Sequence, residues 1–172
     1  MSMHLLEHAA VAIYDSHVDA EKSVKVLERA GLDMRRWSVI AKASSEEQHS
    51  GFYAAGHRIR FWGARGRAWS TFWGMLFGSG FFFVPSTGLI VVMGPFIASV
   101  IRAAEAADGD GTPDALRAAF ASLGMADGSV VQYDRAVSAG KILLLGVGTS
   151  DVIARADFVL TGSGCAPLTR GT

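Results

Sequence analysis

The sequence lacks several features that define common classes of protein. It has a single cysteine, Cys165, in 172 residues, so no disulfide can form within the chain. Lysine plus arginine number 16, as do aspartate plus glutamate, so no net charge attracts nucleic acid. The first residues include no basic segment and already contain Glu7, which is not typical of a secretory signal. These absences favour a reducing, cytosolic setting and no nucleic-acid partner.

Charge is also absent from one long stretch in the middle of the chain. Residues 68–101 are 34 consecutive residues without a charged side chain. One straight helix of that length would span roughly 51 Å, well beyond a hydrocarbon core of about 30 Å. The sequence PSTG in its middle is typical of a turn. We therefore predict an apolar helical hairpin over residues 63–107, with its turn at Pro85 and Gly88.

The two flanks of this stretch have the patterns of an ordinary α/β domain. Residues 9–14 and 37–43 are predicted strands, joined by a helix over 18–30 that Ser16 caps. After the stretch, a helix follows Thr112, and residues 141–147 form the clearest buried strand. Residues 129–139 fit either a strand or a helix, and we prefer the helix. A last helix is predicted over 152–160.

This order of elements predicts an α+β fold, a ferredoxin-like split sandwich of three or four strands. One half would be residues 9–62, with a possible strand at 53–62, and the other half residues 108–162. The hairpin of residues 63–107 would interrupt the two halves. Residues 163–172 are predicted to be a flexible tail.

Small residues recur at every fourth position along the first arm of the predicted hairpin. Such a face lets the backbones of two helices approach closely, as in membrane helix pairs. The predicted positions of helix packing and assembly are Gly66, Ser70, Gly74, Gly78, Gly94 and Ala98. The partner is therefore expected to be a second copy of the chain.

Arginine and tryptophan residues are interleaved at the start of the uncharged stretch. This combination is typical of an anchor at a membrane surface, and the arginines would hold both flanks on the cytoplasmic side. The predicted interfacial anchor consists of Arg58, Arg60, Trp62, Arg65, Arg67, Trp69 and Trp73. The predicted location is the cytoplasmic face of the inner membrane. The alternative is a soluble cytoplasmic assembly in which the hairpins pack together without lipid.

Three segments together resemble a bacterial family of unknown function. They are AEKSVKVLERAGLDMRRWSVIAK, the central FWG…FWG…LFGSGFFFVP…GP pattern, and SLGMADGSVVQYDRAVSAGKILLLGVGT. The resemblance covers about residues 9–160, and members of the family are labelled general stress proteins or uncharacterised membrane proteins. It implies an association with stress and a glycine-rich hydrophobic hairpin. It implies no catalytic residues.

No pattern in the sequence predicts a metal site, a cofactor or a small-molecule substrate. The histidines do not have metal-ligand spacing, and the acidic loop at 108–112 lacks the final glutamate of a calcium loop. The glycines at Gly146 and Gly148 could expose backbone N–H groups to an anion, although an ordinary strand-to-helix turn explains them. We predict a non-enzymatic, stress-associated protein whose hairpin inserts in a membrane and self-associates. The alternatives are a soluble homo-oligomeric scaffold, shell or cargo-type assembly and, less favoured, a small anion-binding enzyme.

Overall fold

A computed structural model describes residues 7–42, 79–84, 88–106 and 115–170, which form one antiparallel sheet and five α-helices. Five strands have six or seven residues each, and a sixth has two. In chain order the elements are β1 (His8–Tyr14), α1 (His17–Arg29), a 3₁₀ turn (Met34–Arg36), β2 (Trp37–Lys42), β3 (Ser79–Val84), β4 (Gly88–Met93), α2 (Phe96–Ala106), α3 (Ala115–Ser122), α4 (Asp127–Ser138), β5 (Ile142–Gly148), α5 (Ser150–Gly162) and β6 (Thr169–Arg170).

The strands lie in the order β3-β4-β2-β5-β1-β6, and every neighbouring pair is antiparallel. The unit β1-α1-β2 is split, because β5 lies between its two strands. Tyr14 of β1 is opposite Ile142, and Trp37 of β2 is opposite Gly146. Residues on either side of the uncharged stretch therefore share one sheet.

Local signals in the sequence set the ends of several helices. At the start of α1, the Ser16 side chain accepts a hydrogen bond from the Asp19 N–H at 3.2 Å. The helix is followed by Gly31, which has a φ of 78°. Residues 129–139, which fitted either a strand or a helix, lie almost entirely in the helix α4, as preferred. Its chain leaves through Gly140, again with a positive φ, of 86°.

Helices cover both faces of the sheet, because alternate residues of the strands are buried on opposite sides. One face, which includes Val39 and Leu144, forms a cluster with apolar residues of α1 and α5. The other face, which includes Ile40 and Leu143, forms a cluster with α2, α3 and α4. The molecule therefore has three layers, with the sheet in the middle.

The mixed α/β content and the antiparallel sheet agree with the predicted class. Four strands, β2, β5, β1 and β6, lie side by side with α1 and α5 on one face, and β3 and β4 raise the number of described strands above the three or four predicted for a ferredoxin-like sandwich. An α+β sandwich of that kind places its helices on one face of the sheet. Here the strands β2 and β5 are apolar on both sides, so each face needs a helical layer. The additional strands extend the sheet beyond β2, because β4 pairs with β2 on the side away from β5 and β3 pairs with β4.

The predicted helical hairpin is the main correction. Among the residues of its arms that the structure describes, Ser79–Val84 and Gly88–Met93 are strands and Phe96–Ala106 is a helix. An uncharged run has no polar face that distinguishes a helix from a strand, and two six-residue segments on either side of a turn have the length of strands. In the described part of the chain, none of the helices has the length and apolarity needed to cross a bilayer.

The predicted turn falls between β3 and β4, and the predicted tail contains β6. β3 and β4 are antiparallel with Val84 opposite Gly88, which begins β4. Residues 85–87, and so the predicted turn residue Pro85, lie outside the described residues. The segment predicted as a flexible tail includes β6, and the Leu168 N–H donates to an Asp157 carboxylate oxygen at 2.8 Å. β6 pairs with β1.

Candidate functional site

Few of the predicted site residues lie in the described part of the chain. Gly94 lies in the turn from β4 to α2 with a φ of 99°, and its Cα faces the Trp37 carbonyl and Ser38. It therefore serves a turn and a close approach to β2 rather than helix pairing. Ala98 is exposed on α2. The predicted residues outside the description are Gly66, Ser70, Gly74, Gly78, Arg58, Arg60, Trp62, Arg65, Arg67, Trp69, Trp73 and Pro85.

One edge of the sheet is formed by β3, whose sequence is SGFFFV. It pairs with β4 along its whole length, from Ser79 opposite Met93 to Val84 opposite Gly88. Among the strands that the structure describes, none pairs with its other side. β3 has no charged residue and no proline. Charged residues, lysine above all, and proline commonly protect edge strands from pairing with another chain.

The opposite edge is formed by β6, and it differs in length and chemistry. β6 has two residues, Thr169 and Arg170, and both are exposed. It pairs with only Ala10 and Val11 of β1. Short, charged strands of this kind are poor templates for a further strand.

A cleft of about 250 Å³ opens where β2 begins and β5 ends, beside the first turn of α2. Its floor is apolar, formed by Phe96 of α2, by Leu123 and by Leu145 and Val147 of β5. Ser38 lies in the same cleft and is 2% exposed. The Ser38 hydroxyl oxygen accepts a hydrogen bond from the Phe96 N–H at 2.9 Å, which fixes the start of α2 against β2.

The rim of the cleft carries two arginines that already have carboxylate partners. An Arg36 N–H donates to a Glu7 carboxylate oxygen at 2.9 Å. Arg35 donates through two nitrogens to the two carboxylate oxygens of Asp33, at 3.0 and 3.1 Å. The hydrogen bonds from Arg35 hold the pKa of Asp33 below its usual value. Arg36 therefore lies over an apolar floor and binds a carboxylate there.

A second groove, of about 260 Å³, lies near the N-terminal end of α1. It is lined by Tyr14 of β1, by Asp19 and Lys22 of α1, and by Cys165 after α5. Burial raises the pKa of the Tyr14 phenol to about 12, and burial also raises the pKa of the Cys165 thiol. Cys165 is therefore protonated at neutral pH and is a poor nucleophile.

Gly146, near the end of β5, packs closely against a residue of β2. A Cβ at Gly146 would overlap the ring of Trp37, which is 1% exposed. Thr149 caps α5 by accepting a hydrogen bond from the Val152 N–H at 3.4 Å. These contacts explain the glycine and threonine as parts of a strand-to-helix connection.

Within the described ranges, no group of three or more histidine, cysteine, aspartate or glutamate side chains could hold a metal ion. Comparisons of the chain with family models, with curated proteins and with solved structures gave no match in any of the three. Sequence reasoning missed both the open edge and the cleft. The signals were a short run of β-formers, SGFFFV, and a serine inside the apolar strand β2.

Proposed function

We propose that the protein is a non-catalytic, self-associating protein whose copies join at the edge of the sheet formed by β3. The observation that carries this proposal is the combination of an open edge and an uncharged sequence in β3. An edge strand presents a row of N–H and C=O groups to any strand that can align with it. Such main-chain bonds supply affinity when an extended strand is added to a sheet.

The expected partner is a second copy of the same chain. Two identical strands can pair antiparallel about a two-fold axis, which presents the same surface on both subunits. β3 is suited to this because no charge in it meets its own copy.

Attachment to lipid is the second candidate, and the uncharged run itself favours it. Residues 58–67, just before that run, contain four arginines and one tryptophan, a combination suited to a membrane surface. The stress association comes only from the family resemblance and stays a prediction. Self-association is preferred because it uses a strand, β3, whose position at the edge of the sheet is described.

The test is the molar mass of the purified full chain without detergent, measured by light scattering over a range of concentrations. We expect the wild-type chain to form a dimer or larger assembly and Phe82→Lys to shift it toward the monomer. A lysine on an edge strand opposes addition of another strand. Phe82→Leu is the matched control, because it keeps an uncharged side chain, and it should assemble like the wild type.

Vesicle flotation with anionic lipid separates the two candidates. A chain that is monomeric without lipid and floats with vesicles would favour the lipid candidate and contradict assembly through β3. An assembly whose mass is the same for Phe82→Lys and Phe82→Leu would also contradict it. Circular dichroism of each variant shows whether the sheet is retained.

A further inference from the structure

We propose that the cleft beside Arg36 is a binding site for a small carboxylate with an apolar body, and that Glu7 closes the site as an internal competitor. The proposal concerns this cleft alone and does not rest on self-association through β3. It combines three observations: an apolar floor, a guanidinium at its rim, and a carboxylate from the chain already bound to that guanidinium.

The floor and the volume limit the size of the ligand. Phe96, Leu123, Leu145 and Val147 present apolar side chains to a space of about 250 Å³. Ligand pockets usually hold roughly 300–1,000 Å³, so this one suits a ligand smaller than most drugs. A short aliphatic chain or a single aromatic ring would replace water on this floor.

The rim determines the charge of the ligand. Arg36 is held in place by its hydrogen bonds to Glu7 and, at 3.5 Å, to the Val147 carbonyl oxygen. A guanidinium has five N–H donors, so these bonds leave donors for another acceptor. A carboxylate is the planar partner that matches this group.

Glu7 is the part of the site that can be displaced. Its side chain is 54% exposed and that of Arg36 is 40% exposed, so the pair is largely solvated. Ion pairs of this kind contribute little to stability. A ligand carboxylate that also fills the apolar floor gains more contact than Glu7 does. The ligand carboxylate can therefore displace the Glu7 carboxylate from the guanidinium of Arg36.

The buried hydroxyl of Ser38 adds a second polar group inside the cleft. Its oxygen accepts from the Phe96 N–H, which fixes the hydroxyl at the start of α2. The first turn of α2 is otherwise satisfied, because the Ile97 and Ala98 N–H groups donate to the Gly94 and Pro95 carbonyl oxygens at 3.2 Å. The Ser38 proton, rather than the helix terminus, is therefore the donor that a ligand oxygen would meet.

The experiment is calorimetric titration of the full chain with octanoate and, separately, with 1-octanol, which has the same tail without the charge. We expect saturable binding of octanoate with one site per chain and at least about tenfold weaker binding of octanol, because hydrogen bonds to charged groups are the stronger ones. Arg36→Gln should weaken octanoate at least about tenfold and leave octanol unchanged. Glu7→Gln should tighten octanoate about two- to fivefold, because it removes the competitor.

Arg29→Gln is the matched control, since it removes the same charge from an exposed position on α1 and should leave both affinities unchanged. The opposite signs expected for Arg36→Gln and Glu7→Gln separate a site from a loss of folding. Three results would overturn the proposal: no saturable binding below about 5 mM octanoate, equal affinity of Arg36→Gln and the wild type, or unchanged or weaker binding by Glu7→Gln. Phe82→Lys should bind octanoate like the wild type, which keeps this test apart from that of assembly.

Discussion

The two edge strands of the sheet differ in length and in charge. On one side, the edge strand β3 consists of six uncharged residues, three of them phenylalanine. On the other side, β6 presents two exposed residues, one of them arginine. Natural sheets commonly end in short or charged strands, which prevent further pairing. β6 follows this rule and β3 does not, and this difference is the basis of the proposed assembly through the β3 edge.

The largest change in stability is expected from the turn that supports the β3 side of the sheet. Gly94 has a positive φ, and a Cβ there would overlap the Trp37 backbone. Gly94→Ala should therefore lower the free energy of unfolding by about 3 kcal/mol or more, because it combines backbone strain with a clash against a strand. Chemical denaturation measures this change.

The matched control lies near the β6 side. Gly164 also has a positive φ, of 75°, but a Cβ there would have no atom within 4 Å. Gly164→Ala should cost about 1–2 kcal/mol, the strain of the left-handed region alone. Equal costs for the two variants would contradict the tight attachment of the β4–α2 turn to β2.

A smaller and pH-dependent effect is expected at Tyr14, in the strand that neighbours β6. Burial raises its pKa from 10.0 to about 12, and the Ser23 hydroxyl offsets this only in part. The raised pKa means that the folded state favours the neutral phenol. Its contribution to stability is thus complete below pH 10 and is lost as the pH rises toward 12.

The size of that contribution should be about 1–2 kcal/mol after allowance for solvent screening. Denaturation of the wild type at pH 8 to 11.5 should show stability falling at the alkaline end, in the range set by Tyr14. Tyr14→Phe should flatten this part of the profile. An identical slope in Tyr14→Phe would show that another group, such as Tyr133, whose pKa burial also raises, causes the loss.

The smallest effect is expected from a lysine placed in the β6 edge. Thr169 is exposed in a strand of two residues, so Thr169→Lys should change the free energy of unfolding by less than about 0.5 kcal/mol. It should also leave the molar mass of the assembly unchanged, in contrast to Phe82→Lys. If both lysines dissociate the assembly equally, the two edges are equivalent and the comparison fails.

Much of the domain could be predicted from local patterns. The Ser16 cap, Gly31 and the apolar spacing between them define α1, and the apolar run before Thr149 defines β5. These features act within a few residues of one another, so a sequence shows them directly. The helical state of residues 127–138 was also preferred correctly.

The three-layer arrangement and the secondary structure of the uncharged stretch could not be predicted in the same way. In the run SGFFFVPSTGLIVVM every position is apolar or small, and a pattern without polar positions does not distinguish strand from helix. The apolar continuity of β5 did contain a usable signal, since strands buried on both faces lack alternation. The cleft depends on residues far apart in the chain, such as Glu7, Arg36 and Val147, and it exists only after β2, β5 and α2 are in place.

The central position of β5 has a consequence for synthesis of the chain. β1 and β2 do not pair with each other, and each needs β5 as its neighbour. β5 begins 58 residues after β3 ends, which corresponds to roughly 3–12 s at ribosomal rates of about 5–20 residues per second. The phenylalanines of β3 are therefore synthesised well before the sheet can be completed. Nascent chains arrested before Ile142 are therefore expected to be protease-sensitive and to bind chaperones, and protection that appears before this point would contradict the order of assembly.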